Sequence, residues 1–249
     1  MRGGPPGPGV RARCRGRPGR HRGARDRKRD DHRLLARHRD LRDDALLFAV
    51  LAERFRQVAF PNRGLGISLT DERPAGNARA VLFRFPDGVQ DFVAALDAET
   101  GAALHPDVIG FEREDPRMAG TMVVAFLWSG SREERMRSFA NSRATPQGGT
   151  HVDGFRDGVA AAVTAYARER GLLAAADPGA DRIGEGLTAV VSVKLDRPEF
   201  LGATQGLLGN TDVRGCVGQA VREHLGNWFE EQPERATEVV DRIVRGIWA

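Results

Sequence analysis

Apolar residues recur every three or four positions in the middle of the chain, between residues 150 and 170. This spacing predicts a helix with one apolar face. We expect the helix to begin at Thr150, an N-cap followed by Asp153 in a near capping box, and to stop before Gly171. Pro146 and the two glycines that precede Thr150 predict a tight turn. The apolar positions of the helix are Phe155, Val159, Ala162, Val163 and Tyr166.

Shorter apolar runs predict strands on both sides of this helix. Residues 108–111, 121–128 and 134–140 precede it, and residues 187–195 follow it. The run at 121–128 is almost continuously apolar, which is typical of a strand buried on both faces. We expect 134–140 to pair with 121–128 across the turn at 129–131, and 187–195 to complete a main sheet of four strands.

Two more helices are predicted at the carboxyl end. The first is capped by Asn210 or Thr211, and the second begins at Pro233, a residue suited to the first turn of a helix. Glycines at 215, 218 and 226 lie inside the first helix, and each costs roughly 0.5–1 kcal/mol relative to alanine. Packing must therefore hold this helix. The apolar positions are Val213, Val217, Val221, Leu225 and Phe229 in the first helix and Val239, Val240, Ile243 and Ile247 in the second.

Charge is distributed unevenly along the chain. Residues 1–48 hold 15 lysines and arginines against 6 aspartates, a net charge of +9, whereas the remaining residues carry −5. The larger part of the chain therefore has no general electrostatic attraction to phosphates. Residues 1–48 are also rich in glycine, proline and arginine. We predict that they form a disordered basic arm, a type of segment that often binds nucleic acid.

The chain contains two cysteines, Cys14 and Cys216, and its 6 histidines have no metal-ligand spacing. This pattern predicts neither a disulfide nor a metal site, and it suits a reducing cytoplasm. No apolar run approaches the roughly 18 residues of a membrane span. We therefore expect a cytoplasmic protein that has no membrane partner. His151, at the start of the predicted central helix, we interpret as structural rather than catalytic.

Three stretches, in this order, resemble the B component of DNA gyrase and its type IIA topoisomerase relatives. They are FPNRGLGISLTDER at 60–73, SFAN with GGTHVDGFR within 138–156, and GEGLTAVVSVKLDRP at 184–198. The second stretch resembles the transducer domain of that family. The resemblance implies an α/β (α+β) fold with two layers, in which helices cover a mixed four-stranded sheet. It further implies the ribosomal-protein-like topology with a left-handed βαβ crossover.

The resemblance also divides the chain. Residues 49–77, a helix and a strand at 65–70, are similar to the end of the family's ATPase domain, and residues 78–249 are similar to the transducer. We expect the strand at 65–70 to lack its sheet partners. Because a lone strand exposes an unpaired edge, it should pack poorly or recruit another chain.

Residues 1–48 have a second interpretation. Plausible codons for residues 30–48, read one nucleotide out of frame, encode a Trp-Pro-Asp segment that resembles the end of the ATPase domain. The family match in the given frame resumes at Ala49. Under this hypothesis the segment is an out-of-frame translation with no evolved function. The nucleotide sequence distinguishes it from a basic arm.

The resemblance implies ATP and Mg²⁺ as cofactors of the family, with ATP held in the domain that precedes the transducer. The transducer contributes a Gln-Thr-Lys loop, whose lysine meets the γ-phosphate. Here the matched loop reads Ala203, Thr204 and Gln205. Since Gln205 is uncharged, we expect Thr204 and Gln205 to form a degenerate γ-phosphate-sensing loop. We expect no cofactor to bind this chain alone, and we assign no catalytic residue and no metal ligand.

The implied partners are the gyrase A subunit and DNA, with a second copy of the chain as a homodimer partner. Arg132, Arg135, Arg137 and Arg143 either line a cavity for the transported DNA or belong to a solvated strand edge beside Glu133 and Glu134. Three functions are therefore open. The chain is an inactive transducer fragment of an ATP-dependent type II topoisomerase, a regulatory or decoy module that binds gyrase subunits, or a basic-arm nucleic-acid-binding protein.

Overall fold

The computed structural model describes residues 10–15, 30–34, 44–60, 65–71, 79–98, 107–172 and 180–246. The chain divides into two compact units, residues 1–88 and 89–249. The first unit contains β1 (Val10–Arg15), β2 (Asp30–Leu34), α1 (Asp44–Ala59), β3 (Gly66–Asp71) and β4 (Ala80–Arg84). The second contains α2 (Val89–Ala98), β5 (Ile109–Asp115), β6 (Gly120–Trp128), β7 (Arg135–Ala140), β8 (Arg143–Ala144), α3 (Thr150–Glu169), α4 (Ala180–Gly184), β9 (Leu187–Leu195), β10 (Phe200–Leu201), β11 (Leu207–Leu208), α5 (Thr211–Glu231) and α6 (Pro233–Arg245).

In the first unit, four antiparallel strands lie in the order β2-β1-β3-β4. The expectation that the strand at 65–70 lacks sheet partners is wrong, because β3 pairs with β1 on one side and with β4 on the other. Its alternation places Ile67 and Leu69 in the interior, and Ile67 lies opposite Phe83 of β4. Pairing gives hydrogen-bond partners to the backbone N–H and C=O groups that a lone strand would leave unpaired. It depends little on which side chains the strand carries.

The first unit also differs from the predicted division of the chain. β1, β2 and the first turn of α1 fall within residues 1–48, where we expected a disordered arm. Since α1 begins at Asp44, the helix starts earlier than the predicted residue 49. β4, which we assigned to the second domain, pairs with β3, so the compact unit extends to Gly88.

The second unit contains a mixed sheet in the order β5-β6-β9-β7-β8. All four long strands of the main sheet are confirmed, and β8 adds a two-residue fifth strand. The predicted pairing of 134–140 with 121–128 is wrong, because β9 lies between β6 and β7. β9 pairs with β6 along nine residues of each strand, whereas β7 has only six residues with which it could pair with β6. β7 and β9 are parallel and α3 connects them, so they form the expected βαβ unit. The left-handedness of its crossover stays a prediction.

The main core lies between one face of this sheet and the helices α3, α5 and α6. Phe126 at its centre meets Trp128 and Phe155 edge-on, with ring centroids 5.6 and 5.3 Å apart. α2 packs against β5, β6 and β9, and its buried Phe92 and Val93 are outside the main core. We infer that α2 covers part of the opposite face of the sheet, because successive strand residues alternate between faces.

α3 and α5 approach each other so closely that glycines are required at their crossing. A Cβ at Gly154 would overlap the carbonyl oxygen of Arg214, and one at Gly158 would overlap that of Gly218. By contrast, nothing lies within 4 Å of a Cβ placed at Gly215 or at Gly226. The close contacts at Gly154 and Gly158 support the prediction that tertiary packing, rather than helix propensity, holds α5.

The helix ends are predicted correctly at some positions and wrongly at others. α6 begins at Pro233, and Gly171 takes the left-handed conformation after α3, as predicted; Ile247 lies outside the described residues. The predicted cap at Thr150 is wrong, because Gly149 occupies the N-cap position and no side chain caps the helix. The Thr150 hydroxyl is buried without a hydrogen-bond partner among the described residues.

Candidate functional site

Both predicted site residues lie at the tip of a small hairpin. β10 and β11 pair antiparallel, with Phe200 opposite Leu208, and residues 202–206 form the connection. Thr204 and Gln205 are exposed there. The backbone amide of Gln205 donates to the carbonyl oxygen of Gly202 at 3.1 Å, and both residues have positive φ, 50° and 78°. The tip is therefore tightly turned and presents its side chains to solvent.

Asn210 closes the base of this hairpin. Its side-chain nitrogen donates to the carbonyl oxygen of Arg197 at 3.0 Å, and its side-chain oxygen accepts from the amide of Glu199 at 2.8 Å. Asn210 is at the predicted N-cap position of α5, but its side chain makes no capping hydrogen bond to that helix. The residue is therefore used to fasten the hairpin, a role that the sequence pattern did not reveal.

The hairpin rests on the turn that precedes α3. The amide of Gln147 donates to the carbonyl oxygen of Gly206, and the amide of Leu208 donates to that of Gly148, both at 3.1 Å. Gly149 forms a parallel bridge with Leu208. Gly149 has a φ of 129°, and a Cβ on it would overlap the backbone of Leu208, so only glycine fits. The GGTH motif thus brings the hairpin to the start of α3.

One of the four arginines predicted as cavity or edge residues reaches the hairpin tip. Arg143 donates from Nη1 to Oε1 of Gln205 at 2.8 Å and from Nη2 to the carbonyl oxygen of Thr204 at 3.2 Å. Its guanidinium carbon lies 5.4 Å from the centroid of the Phe200 ring. About sixty residues separate Arg143 from these partners in the chain, and no pattern in the sequence indicated the contact.

Two of the other arginines make their contacts elsewhere. Arg135 donates to the carbonyl oxygen of Leu96 at 3.4 Å and pairs with Glu133 at 3.2 Å. Arg137 is exposed, and its Nη1 reaches the carbonyl oxygen of Met136 at 3.5 Å. Of the two alternatives, a DNA cavity or a solvated strand edge, these contacts favour the strand edge for this part of β7.

His151 is completely buried in the first turn of α3. Its Nε2 lies 3.1 Å from the Thr145 hydroxyl, which lies 2.8 Å from the hydroxyl of Ser138. Its Nδ1 has no hydrogen-bond partner among the described residues. Burial lowers the pKa of His151 from 6.5 to about 4, so the ring is neutral at pH 7. An enclosed neutral imidazole cannot meet a substrate, which supports the structural interpretation.

The hairpin tip does not fit the phosphate-neutralising role that the resemblance implies. Gln205 offers a neutral amide at the lysine position, and the oxygen of that amide is already hydrogen-bonded by Arg143. Within the described ranges, no group of three or more His, Cys, Asp or Glu side chains is placed to hold a metal ion. The described helices also include none that is long and apolar enough to cross a membrane.

The sequence of this chain and its fold both match proteins of one family. The family model for DNA gyrase B matches residues 88–246. The DNA gyrase B protein of Streptomyces coelicolor is 38% identical over 219 residues, which cover 81% of this chain and 32% of the relative. The novobiocin-resistant DNA gyrase B protein of Streptomyces niveus is 38% identical over 217 residues, with the same coverage. The chain thus spans about a third of the length of these relatives.

Solved structures agree with these matches. The 43K ATPase domain of Thermus thermophilus gyrase B, crystallised with an aminocoumarin, superposes with a TM-score of 0.69 at 31% identity, over 84% of this chain and 54% of that one. The gyrase B protein of Myxococcus xanthus shares the fold with a TM-score of 0.67 at 22% identity, over 95% of this chain and 70% of that one. The chain therefore belongs to the DNA gyrase B family of type II topoisomerases and has the mixed α/β fold of that family.

Proposed function

We propose that the second unit, residues 89–249 of the segment 78–249 that the resemblance assigned to the transducer, is the transducer part of a gyrase B-type protein, which couples ATP binding and hydrolysis to DNA strand passage. The observation that carries the proposal is the fixed contact between the hairpin and the start of α3, made by Gly149 and Leu208. Through this contact, a displacement of the hairpin is passed to α3, and the glycine crossing passes it on to α5. Its partners would be a gyrase A subunit and DNA.

We further propose that this chain by itself has no nucleotide-driven activity. ATP, when bound in such enzymes, supplies the γ-phosphate whose negative charge a nearby cation stabilises. Gln205 cannot supply that charge from the tip. Purified chain, supplied with ATP, Mg²⁺ and supercoiled DNA, should show neither ATP turnover nor a change in linking number. Measurable turnover that scales with chain concentration would contradict this part of the proposal.

A chimera tests the coupling role directly. Residues 89–246 replace the matched segment of Streptomyces coelicolor gyrase B, with Gln205→Lys to restore a cation and Arg143→Ala to remove its like-charged neighbour. With the gyrase A subunit, the chimera should supercoil DNA in an ATP-dependent reaction. A chimera that is folded and binds ATP but leaves DNA relaxed would show that this segment is not a transducer.

For residues 1–48 we retain the out-of-frame hypothesis as a proposal. The pairing of β1 with β3 does not argue against it, because backbone hydrogen bonds can form with almost any sequence. The nucleotide sequence decides the matter. If a shift of one nucleotide does not produce the Trp-Pro-Asp segment, the hypothesis is wrong and the basic arm becomes the better interpretation.

A further inference from the structure

The tip of the β10–β11 hairpin is held from outside by one side chain. The planar guanidinium of Arg143 meets two acceptors, Oε1 of Gln205 and the carbonyl oxygen of Thr204, while its carbon lies over the ring of Phe200. Arginine is suited to this combination of paired donation and stacking. We propose that Arg143 is a positioning residue that latches the hairpin tip to β8, and that the charge at position 205 sets the strength of this latch.

The tip needs such a contact because little else fixes it. The residues at 201–205 are exposed, so the tip gains little from apolar burial. The contacts of Asn210 and Leu208 lie at the base of the hairpin, away from Gln205. Gln205 also has a left-handed backbone, which is uncommon for a residue other than glycine. Without Arg143, the turn at the tip would depend on the hydrogen bond from Gln205 to Gly202 and on the one that the Gln147 amide donates to the carbonyl oxygen of Gly206.

Opposite changes of charge at position 205 should change the strength of the latch in opposite directions. Gln205→Glu would convert the hydrogen bond from Arg143 into an ion pair and strengthen the latch. Gln205→Lys would place an ammonium beside the guanidinium and weaken it. Both variants keep a Cβ at the left-handed position, so backbone strain is the same in the two proteins. The proposal goes beyond the coupling function, because it concerns contacts within this chain and holds whether or not ATP acts on it.

Amide hydrogen exchange of the full chain measures the latch. The Gln205 amide, bonded to Gly202, reports on the tip, and the Leu208 amide, bonded to Gly148, reports on the hairpin base. Arg143→Ala should accelerate exchange at Gln205 about threefold to tenfold, because an exposed paired contact contributes modestly. Gln205→Lys should accelerate it similarly, after correction for intrinsic exchange rates, and Gln205→Glu should slow it about threefold.

Matched controls separate the latch from a general structural effect. Arg137→Ala removes another exposed arginine from the neighbouring strand and should leave exchange at Gln205 unchanged. Exchange at Leu208 should change less than about twofold in every variant. The proposal is overturned if Gln205→Glu and Gln205→Lys shift exchange in the same direction, or if Arg143→Ala leaves the Gln205 amide unaffected. Equal acceleration at Gln205 and Leu208 would also overturn it, since Arg143 would then stabilise the whole hairpin.

Discussion

The crossing of α3 with α5 and the tip of the β10–β11 hairpin are built in opposite ways. At the crossing, Gly154 and Gly158 bring the two helix backbones into direct contact, and neither position has space for a side chain. At the tip, Thr204 and Gln205 are exposed and are held by hydrogen bonds from a single arginine. The crossing is thus fixed because it has no space for side chains, whereas the tip depends on polar side chains that other polar residues could replace.

This difference predicts which substitutions each region tolerates. At Gly149 and Gly154 any larger residue would separate the backbones that meet there. The charge at position 205 can change without disturbing the fold, because the side chain there is in solvent.

The largest expected effect is at the helix crossing. Gly154→Ala should lower the free energy of unfolding by about 3 kcal/mol, because its Cβ would meet the backbone of Arg214 rather than a flexible side chain. Gly215→Ala, in open space on α5, should raise that free energy by up to about 1 kcal/mol through helix propensity. Urea denaturation measures both. Equal effects of the two substitutions would show that the crossing is not sterically fixed.

His151, between the crossing and the hairpin, should make stability depend on pH. Its pKa is lowered to about 4 in the folded chain from 6.5, so the unfolded chain binds the proton more tightly. The free energy of unfolding should therefore fall as the pH drops from about 6.5 to about 4, by up to about 3 kcal/mol. Denaturation at a series of pH values measures this slope.

The variant His151→Gln should remove most of that slope. His224, whose pKa is also lowered by burial, adds to it in the same direction, so His224→Gln serves as the matched control and should leave most of the slope in place. Asp115 does not interfere, because its pKa is lowered from 3.8 to about 2 and its contribution is lost only at lower pH. An unchanged slope in His151→Gln would mean that the buried ring titrates normally.

At the hairpin tip the cost of a side chain should be smaller. Gly202 has a φ of 78°, and a Cβ there would have only the Gln147 side chain nearby, at 3.8 Å. Gly202→Ala should therefore cost only backbone strain, about 1 kcal/mol in the free energy of unfolding. Gly171→Ala, at another left-handed position with open space, should cost the same within error. A cost at Gly202 as large as that at Gly154 would remove the distinction between the two regions.

The smallest effect should come from the ion pair that spans the crossing. Arg214 donates to both carboxylate oxygens of Asp157, at 2.7 and 3.2 Å, but both side chains are about half exposed. Arg214→Ala should leave the free energy of unfolding unchanged within the error of urea denaturation, because solvent screens an exposed ion pair. A loss as large as that caused by Gly154→Ala would indicate that charge, rather than the glycine contact, holds α3 on α5.

Periodicity and turn residues predicted much of the second unit. The apolar spacing at 150–170 and the almost continuous apolar run at 121–128 predicted α3 and β6, because burial demands those patterns. Strand order was predicted wrongly, since apolar character shows that β6 is buried but not that β9, rather than β7, lies beside it. The partners of β3 were also missed, because backbone pairing leaves little trace in side chains.

The candidate site was predicted only in part. The family resemblance placed Thr204 and Gln205 in one loop, and the structure shows both at a hairpin tip. The contact with Arg143 could not be predicted, because it joins residues distant in sequence through a surface side chain. The same limit applied to Asn210, whose predicted role as a cap gave no indication that it fastens the hairpin.

The central claim is that this segment couples nucleotide chemistry to strand passage and has lost the charge at its hairpin tip. The ratio of two supercoiling rates tests it. The ATP-dependent supercoiling rate of the Streptomyces coelicolor chimera with Gln205→Lys and Arg143→Ala is compared with that of the unsubstituted chimera. We expect the substituted chimera to be faster by at least about a hundredfold, the size of effect seen when one transition-state contact is removed. Equal rates in two chimeras that bind ATP equally would contradict the claim.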